Sequence, residues 1–448
     1  MEIKGEVKGR QLVSLLVPLM IEQILNSFMG TADTIMITTS GAAAISAVSL
    51  VDSINVMVVL IFSAMATGGA ILCSQYLGQK NADKARYAGK QLILSVTFVS
   101  VVGTLVLVLL RRHILSLIFG SVEPEVMEKS EIYFFITALS YPFIALYNSG
   151  AAIFRSDGNS KLPMTVSTIS NLLNIAGNAV LIFGLNMNVA GAALSTLGSR
   201  IFSASVILIS LKRTKQQIKI DRYFVKPDFP VIRKILGIGI PTGIENGMFQ
   251  FGKLAIQSSV STLGTAAIAA NALTSVLESF SSQAPIGIGI GLMTLAGQAV
   301  GANDTALAKK YIRKLTFYSF VAVTISSLVV IGAVKPLTWI SGMEADVALM
   351  TIHLSVFVHI IKPFTWSWSF IPAYGMRAAG DVKFSMLLST ITMWTCRVAL
   401  TTFLIRALKT GPIAVWIGMS TDWAIRSVIF YIRFKSGRWL RHRIGLEK

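Results

Sequence analysis

The sequence is poor in charged residues, cysteine and histidine. Of its 448 residues, 14% are charged, 2 are Cys and 4 are His. Cys73 and Cys396 lie in apolar surroundings and form no CxxC pair, so we expect buried thiols rather than a disulfide framework or a metal site. No DDxxD or HExxH pattern occurs, which argues against a membrane enzyme that holds a catalytic metal with clustered acids.

The sequence is instead rich in apolar residues. They make up 53% of the chain, and the mean hydropathy is +0.67, which is too apolar for an ordinary soluble protein. Runs long enough to cross a hydrocarbon layer of roughly 30 Å recur along the chain. They predict an all-α integral membrane protein with twelve transmembrane helices, at residues 11–38, 45–72, 90–111, 131–154, 162–183, 188–211, 234–260, 267–294, 314–334, 347–374, 384–405 and 412–432.

The basic residues indicate how the chain is oriented. Lys and Arg number 40 against 21 Asp and Glu, which gives a net charge of +19. They cluster at the termini and in the even-numbered connectors, at residues 4–10, 80–90, 212–226, 309–314 and 433–443. The positive-inside rule then places both termini in the cytoplasm of a multi-pass protein of the cell inner membrane. This distribution explains the charge without nucleic acid as a partner.

The two halves of the sequence resemble each other. At an offset of 223 residues, Pro18 and Glu22 match Pro241 and Glu245, and at 222 the segment FRSDGNSKLP matches MRAAGDVKFS. Six spans per half is an even number, so both halves enter the membrane from the same side as a parallel repeat. We predict an N-terminal six-helix bundle at 1–211, a basic cytoplasmic linker at 212–232, and a C-terminal bundle with a basic tail at 233–448.

Two acids stand in the apolar stretch MIEQILNSFMGTADTIMI with no Lys or Arg beside them. Glu22 and Asp33 are eleven residues apart, so on a helix they share one face about 16 Å apart. Unpaired carboxylates inside a membrane are costly and usually functional. They can bind a cation or a proton along one aqueous path, or they can brace neighbouring helices through hydrogen bonds.

Span five carries a polar stripe. Asn171, Asn174 and Asn178 follow one another at spacings of three and four, so they lie on one face of an apolar helix. Amide oxygens are suitable ligands for Na⁺, but asparagines also bridge helices in membranes without any ion. Both interpretations stay open.

Motifs along nearly the whole chain resemble one transporter family. They are DTIM at 33–36, AAISAVS at 43–49, SQYLGQKNADKA after span two, FRSDGNSKLP after span four and NLLNIAGNAVLIFG at 171–184. In order and spacing they resemble the multidrug and toxic compound extrusion (MATE) transporters. The resemblance implies two six-helix bundles in a V shape around a central cleft. It also implies a transporter without cofactors that exports hydrophobic organic cations in antiport with Na⁺ or H⁺ by alternating access.

The resemblance also implies a coupling-ion site in the first bundle. By motif position, its members are Asp33, Asn148, Asn174, Asn178 and Thr196. Asn178 stands where many relatives carry Asp, which leaves one carboxylate among neutral oxygens. Such a site is weaker for a bare cation and lacks the repulsion between paired carboxylates that raises a pKa. The sequence therefore leaves the coupling ion open.

The second half offers candidates for a substrate site or a second ion site. Glu245 and Glu278 lie within apolar spans, and we expect Glu278 to form a buried ion pair with Lys253 on the adjacent span. Some relatives pair the acid of span seven with one on span ten. Span ten here carries no acid before Asp381 at its cytoplasmic end.

Aromatic residues on span ten complete the candidate substrate site. Trp366 and Tyr374 can stack on planar organic cations. Aromatic residues also serve as anchors at the membrane interface, so this alternative stays open.

One alternative function belongs to the same superfamily. A flippase of lipid-linked oligosaccharide or lipid would need a cationic cleft for pyrophosphate, whereas the intramembrane acids favour cationic cargo. The expected partners are organic cation substrates and membrane lipids, with the protein as a monomer.

Overall fold

The computed structural model describes residues 9–120 and 122–442, and no strand occurs in that part of the chain. Two helices continue as π-helical turns, at Ala179–Gly184 and Met393–Leu400. The α-helices are α1 (Gly9–Ile37), α2 (Ala42–Gly78), α3 (Ala82–Leu109), α4 (Arg111–Phe119), α5 (Pro124–Leu139), α6 (Tyr141–Ser156), α7 (Lys161–Asn178), α8 (Asn188–Arg213), α9 (Phe229–Val260), α10 (Thr265–Gly301), α11 (Thr305–Ile340), α12 (Ala345–Ala378), α13 (Val382–Thr392), α14 (Thr401–Arg406) and α15 (Ile413–Ser436).

The predicted spans coincide with these helices. Within the described ranges, ten helical segments are long and apolar enough to cross a membrane, and α5 with α6, bent by 40°, makes an eleventh. The predicted seventh span corresponds to α9, which carries Arg233, Lys234, Glu245 and Lys253 and is not among the ten. The all-α class is confirmed.

The internal repeat appears in the backbone. Gly41 and Gly264, separated by 223 residues, have φ values of 93° and 91° and lie at the turns before α2 and α10. Residues with a Cβ rarely adopt such positive φ values, so these turns favour glycine. Asn81 and Asp304, separated by the same offset, both cap the following helix by accepting a hydrogen bond from the backbone N–H three residues on.

The chain forms two compact units, one ending at Gly243 and the other beginning at Ile244, so the boundary falls within α9. The predicted division at the 212–232 linker and the V shape stay predictions. In the first unit, the beginning of α9 packs closely on α2, where Gly68 faces the carbonyl oxygen of Ile235. A Cβ at Gly68 would collide with that backbone atom, which explains the glycine.

Packing inside each unit sets the positions of the polar residues. In the first unit, α7 lies between α1 and α8, and α2 packs on α3, α5 and α6. In the second unit, α10, α11 and α12 pack on one another, and α15 packs on α12 and on the π-helical turn Met393–Leu400. The packing of α7 brings a face of α1 and a face of α8 to the asparagine stripe.

Candidate ion-coupling site

Asp33 on α1 accepts hydrogen bonds from two asparagines of α7. Asn178 Nδ2 lies 2.7 Å from Asp33 Oδ1. The Asn174 amide is oriented so that both its nitrogen and its oxygen form hydrogen bonds. Its Nδ2 lies 2.8 Å from the same Asp33 oxygen, and its Oδ1 accepts from the backbone N–H of Thr196 at 3.2 Å. The structure thus brings together Asp33, Asn174, Asn178 and Thr196, whose role in ion coupling stays a prediction.

The polar stripe of α7 has two parts with different partners. Asn171, at its N-terminal end, donates to Asn26 Oδ1 on α1 at 2.9 Å, which is a helix bridge without a carboxylate. Asn174 lies one turn further on, and its backbone carbonyl accepts from Ser195 Oγ at 2.6 Å. Helix bridging therefore accounts for Asn171, whereas Asn174 and Asn178 converge on Asp33.

An unsatisfied oxygen lies beside the carboxylate. Asn178 Oδ1 is buried and has no hydrogen-bond partner, and Asp33 makes its hydrogen bonds to described residues through Oδ1 alone. A buried acceptor without a donor is costly, and a cation or a protonated group would satisfy it. Carboxylate and amide oxygens are hard ligands, while no group of three His, Cys, Asp or Glu residues in the described part could hold a metal ion.

Asn148, the fifth predicted member, is not brought into this network. It lies on α6 and is partly exposed. Its side chain makes no hydrogen bond to the residues that the structure describes. Its inclusion rests on the resemblance alone.

Sequence reasoning singled out Glu22 and Asp33 in the first unit and missed a third acid, Asp52. Asp52 on α2 accepts from Asn55 Nδ2 at 2.9 Å and from Tyr133 OH at 3.3 Å. Tyr141 OH donates to Asn55 Oδ1 at 2.6 Å, so the acid belongs to a network of tyrosines and an amide. Arg200 of α8 interacts electrostatically with both Asp52 and Asp33. The signal was present in the sequence, because Asp52 is an intramembrane acid without an adjacent basic residue.

Glu22 and Glu245 have basic partners, contrary to the premise of the sequence argument. Arg155 Nη2 lies 2.5 Å from Glu22 Oε1, and Arg377 Nη2 lies 2.6 Å from Glu245 Oε1. The two pairs occupy repeat-related positions. Each joins the first helix of its half to a residue near the end of the fourth span, so both acids brace helices in this structure. Whether either also binds cargo or an ion stays a prediction.

The predicted ion pair between Lys253 and Glu278 is wrong. Lys362 Nζ lies 2.8 Å from Glu278 Oε1 and donates to Ser281 Oγ at 2.5 Å and Ser282 Oγ at 2.7 Å. The helical rotation of α12 places Lys362 toward α10, whereas Lys253 is exposed on α9. Apolar periodicity could not decide which of two intramembrane lysines faces the acid.

The aromatic candidates are packed within the second unit. Trp366 is 4% exposed and stacks on Phe370, with ring centroids 4.7 Å apart. Tyr374 faces Gly289 of α10, and the Arg377 guanidinium lies 5.5 Å from its ring centroid. Their proposed contact with cargo stays a prediction.

A second buried charge cluster was also missed. Arg397 Nε lies 2.6 Å from Asp422 Oδ2, and Arg426 Nη1 lies 3.9 Å from the same oxygen. Arg426 is fully buried, and its guanidinium lies 4.5 Å from the ring centroid of Phe370. The segment WIGMSTDWAIRS on span twelve places Asp422 and Arg426 within an apolar span, and this pattern could have indicated the buried cluster.

Comparisons with known proteins agree with this architecture. The family model MatE matches residues 18–180 and again residues 241–403, so the two matches repeat at the 223-residue offset. An uncharacterised transporter of Bacillus subtilis, YisQ, is 27% identical over 439 residues, covering 97% of this chain and 96% of that protein. A probable multidrug resistance protein of Thermotoga maritima, NorM, is 24% identical over 442 residues, covering 97% and 94%.

Solved structures share the fold. A multidrug resistance MATE family transporter in an outward-facing conformation matches with a TM-score of 0.86 at 16% identity, covering 96% of each chain. A superfamily transporter from Pyrococcus furiosus, described as having a binding pocket of reverse polarity, also gives 0.86 at 16% identity, covering 95% of each chain. The repeated family match, the two repeated halves and the apolar helices establish that this chain is a membrane transporter of the MATE family.

Proposed function

We propose that the protein is a secondary active multidrug exporter that moves hydrophobic organic cations by alternating access in antiport with Na⁺ or H⁺. We place it in the inner cell membrane as a monomer with both termini in the cytoplasm, and with organic cations and lipids as partners. The names of relatives support export, since a probable multidrug resistance protein NorM and a multidrug export protein MepA are among them.

The observation that carries the proposal is the state of Asp33. Glu22, Glu245, Glu278 and Asp422 each have a basic nitrogen within 2.8 Å. Asp33 forms no ion pair with the described residues and is held by neutral amides. Arg200 acts on Asp33 electrostatically but forms no ion pair with it, so the carboxylate can still accept an exchangeable cation or proton.

Binding and release of an ion at Asp33 can drive transport only if the ion stabilises one conformation of the alternating-access cycle more than the other. Asp33 lies on α1, while its amide partners lie on α7. A shift of α1 against α7 would change the number of oxygens around the carboxylate and so the affinity for the ion. A factor of about 100 in affinity between the two states corresponds to about 2.7 kcal/mol of coupling.

The coupling ion is identified by flux measurements in proteoliposomes. Dye export should follow an imposed Na⁺ gradient at equal pH if Na⁺ binds, or a pH gradient without Na⁺ if Asp33 carries a proton. Asn178→Asp adds a second carboxylate and should strengthen the effect of Na⁺. Transport that ignores both gradients would refute the antiport proposal.

The charge of the cargo requires a separate experiment. Asp33 and Asp52 outnumber Arg200, which interacts with both acids, and this excess of negative charge favours cations over anions of similar size. Expression in a pump-deficient bacterium should lower the accumulation of hydrophobic ammonium dyes. Movement of only anionic compounds would contradict this part of the proposal.

The flippase alternative is favoured by one observation. Lys253 is exposed on α9 and forms no ion pair in the described part of the chain, because Lys362 occupies the Glu278 carboxylate. Lys253 feels the charge of Glu278, but a cation outside an ion pair suits a phosphate-bearing cargo. Translocation of a fluorescent lipid pyrophosphate by the wild type, reduced in Lys253→Gln and unaffected by Asp33→Asn, would favour this alternative.

A further inference from the structure

The second unit contains a cavity between α11, α12 and α15. Its volume is about 380 Å³. We call it the α11–α15 groove, and it is lined by Ile312, Arg313, Thr316, Trp368, Pro372, Ser427, Tyr431, Phe434 and Lys435.

The walls of the groove are largely apolar and open outward. Trp368 is 40% exposed and Tyr431 is 50% exposed. Nearby on the same helices, Phe317 and Val428 are 55% and 57% exposed. In a membrane-spanning unit, exposed apolar side chains of this kind face hydrocarbon.

One end of the groove is basic. Arg313 comes from the beginning of α11 and Lys435 from the end of α15. Their charged groups lie over the aromatic lining, with Arg313 5.5 Å from the Phe434 centroid and Lys435 5.0 Å from the Tyr431 centroid. No acidic residue lines the groove, and neither cation forms an ion pair with a described carboxylate.

The first half of the chain provides an internal comparison. At the 223-residue offset, Arg313 corresponds to Lys90, whose Nζ lies 2.5 Å from Asp221 Oδ1. The hydrogen bond from Lys90 lowers the pKa of the Asp221 carboxyl, so the negative charge opposite Lys90 is retained. The repeat thus supplies an acid to Lys90 in the first half, whereas Arg313 in the second half has no carboxylate partner among the described residues.

We propose that the α11–α15 groove is a binding site for an anionic phospholipid. The phosphate binds between Arg313 and Lys435, and the acyl chains follow the apolar wall past Tyr431 and Trp368. Ser427 lies eight residues before Lys435 on α15, so the groove extends roughly two helical turns beyond the basic end. The positive-inside rule assigns that end to the cytoplasmic leaflet, which is rich in anionic lipids, and basic pockets between transmembrane helices on that side bind such head groups.

A groove that binds only a free anion and a groove that binds a phospholipid should give different experimental results. A site for a phosphate alone would be saturated by glycerol phosphate, which has no acyl chains. A lipid site also requires contact between the chains and the apolar wall. The experiment must therefore measure head-group preference and acyl contact separately.

Head-group preference is measured by native mass spectrometry of the full-length protein with phosphatidylglycerol or phosphatidylcholine. The Arg313→Gln/Lys435→Gln variant should lose roughly 30-fold in affinity for phosphatidylglycerol, since each basic residue near an anionic lipid contributes roughly fivefold. The matched control, Lys309→Gln/Arg438→Gln, removes the same charge from the same unit outside the groove and should bind like the wild type. Equal losses in both variants, or equal binding of the two lipids by the wild type, would overturn the proposal.

Acyl contact is measured by tryptophan quenching with brominated phosphatidylglycerol. The quenching difference between the wild type and Trp368→Phe should be larger with this lipid than with brominated phosphatidylcholine. It should persist in excess glycerol phosphate. Loss of the difference under that excess, or no difference at all, would show that the groove does not hold a lipid.

Discussion

Replacing Arg155 by Gln should leave the Glu22 carboxylate buried without its counter-charge. Glu22 is 2% exposed, and its Oε1 lies 2.5 Å from Arg155 Nη2 and 3.2 Å from Tyr147 OH. Removing one partner of a buried ion pair costs about 3–5 kcal/mol. The double variant Glu22→Gln/Arg155→Gln leaves no uncompensated charge and should lose less than the sum of the single changes.

A double-mutant cycle isolates the pair from the other contacts of each side chain. We expect a coupling energy of about 2 kcal/mol or more between Glu22 and Arg155. The exposed pair Arg112–Glu131, in which Arg112 is 79% exposed, is the control and should give about 0–1 kcal/mol. The assay is reversible unfolding in mixed micelles by titration with dodecyl sulfate.

One outcome of this cycle contradicts the reasoning. A coupling energy no larger than that of the exposed pair would show that the buried pair does not brace α1. A double variant that is stable but exports no dye would show that the pair acts in transport as well.

Three further predictions concern charge, topology and backbone. Asp422→Asn leaves two buried arginines without their carboxylate and should lower the free energy of unfolding in the same assay by about 3–5 kcal/mol, whereas a loss below about 1 kcal/mol would contradict this. A cysteine placed at position 216 should not react with an impermeant thiol reagent on intact cells, because the linker is expected in the cytoplasm. The native Cys73 and Cys396 are buried, which keeps background labelling low. Strong labelling from outside would overturn the topology. Gly264→Ala forces a Cβ into a positive-φ turn and should cost about 1 kcal/mol or more, and an unchanged unfolding midpoint would refute this.

The positions of the helices were predictable because a transmembrane helix is recognised from one continuous segment of the sequence. A span needs length and apolarity, and both can be read along the chain. The repeat was predictable for a similar reason, since Pro18 and Glu22 recur at a fixed offset as Pro241 and Glu245. The spacing of Asn174 and Asn178 also fixes their shared face, because helical geometry is local.

The ion pairs were not predictable in the same way. Glu22 and Arg155 are 133 positions apart, and Arg155 follows an apolar span, so its depth in the membrane depends on how the helices pack. The repeat contained a usable hint, because the acid and the arginine recur together as Glu245 and Arg377. The choice of Lys362 over Lys253 as the partner of Glu278 depends on helix rotation, which periodicity does not fix.

The central claim is that Asp33 couples an ion gradient to export, and uphill dye transport by Asp33→Asn proteoliposomes tests it most directly. The substitution keeps the size of the side chain and removes its charge, so export against the dye gradient should cease while insertion and unfolding stability are retained. Asn171→Ala, on the same face of α7 but bonded to Asn26, is the matched control and should export like the wild type. Undiminished uphill export by a well-folded Asp33→Asn variant would contradict the account.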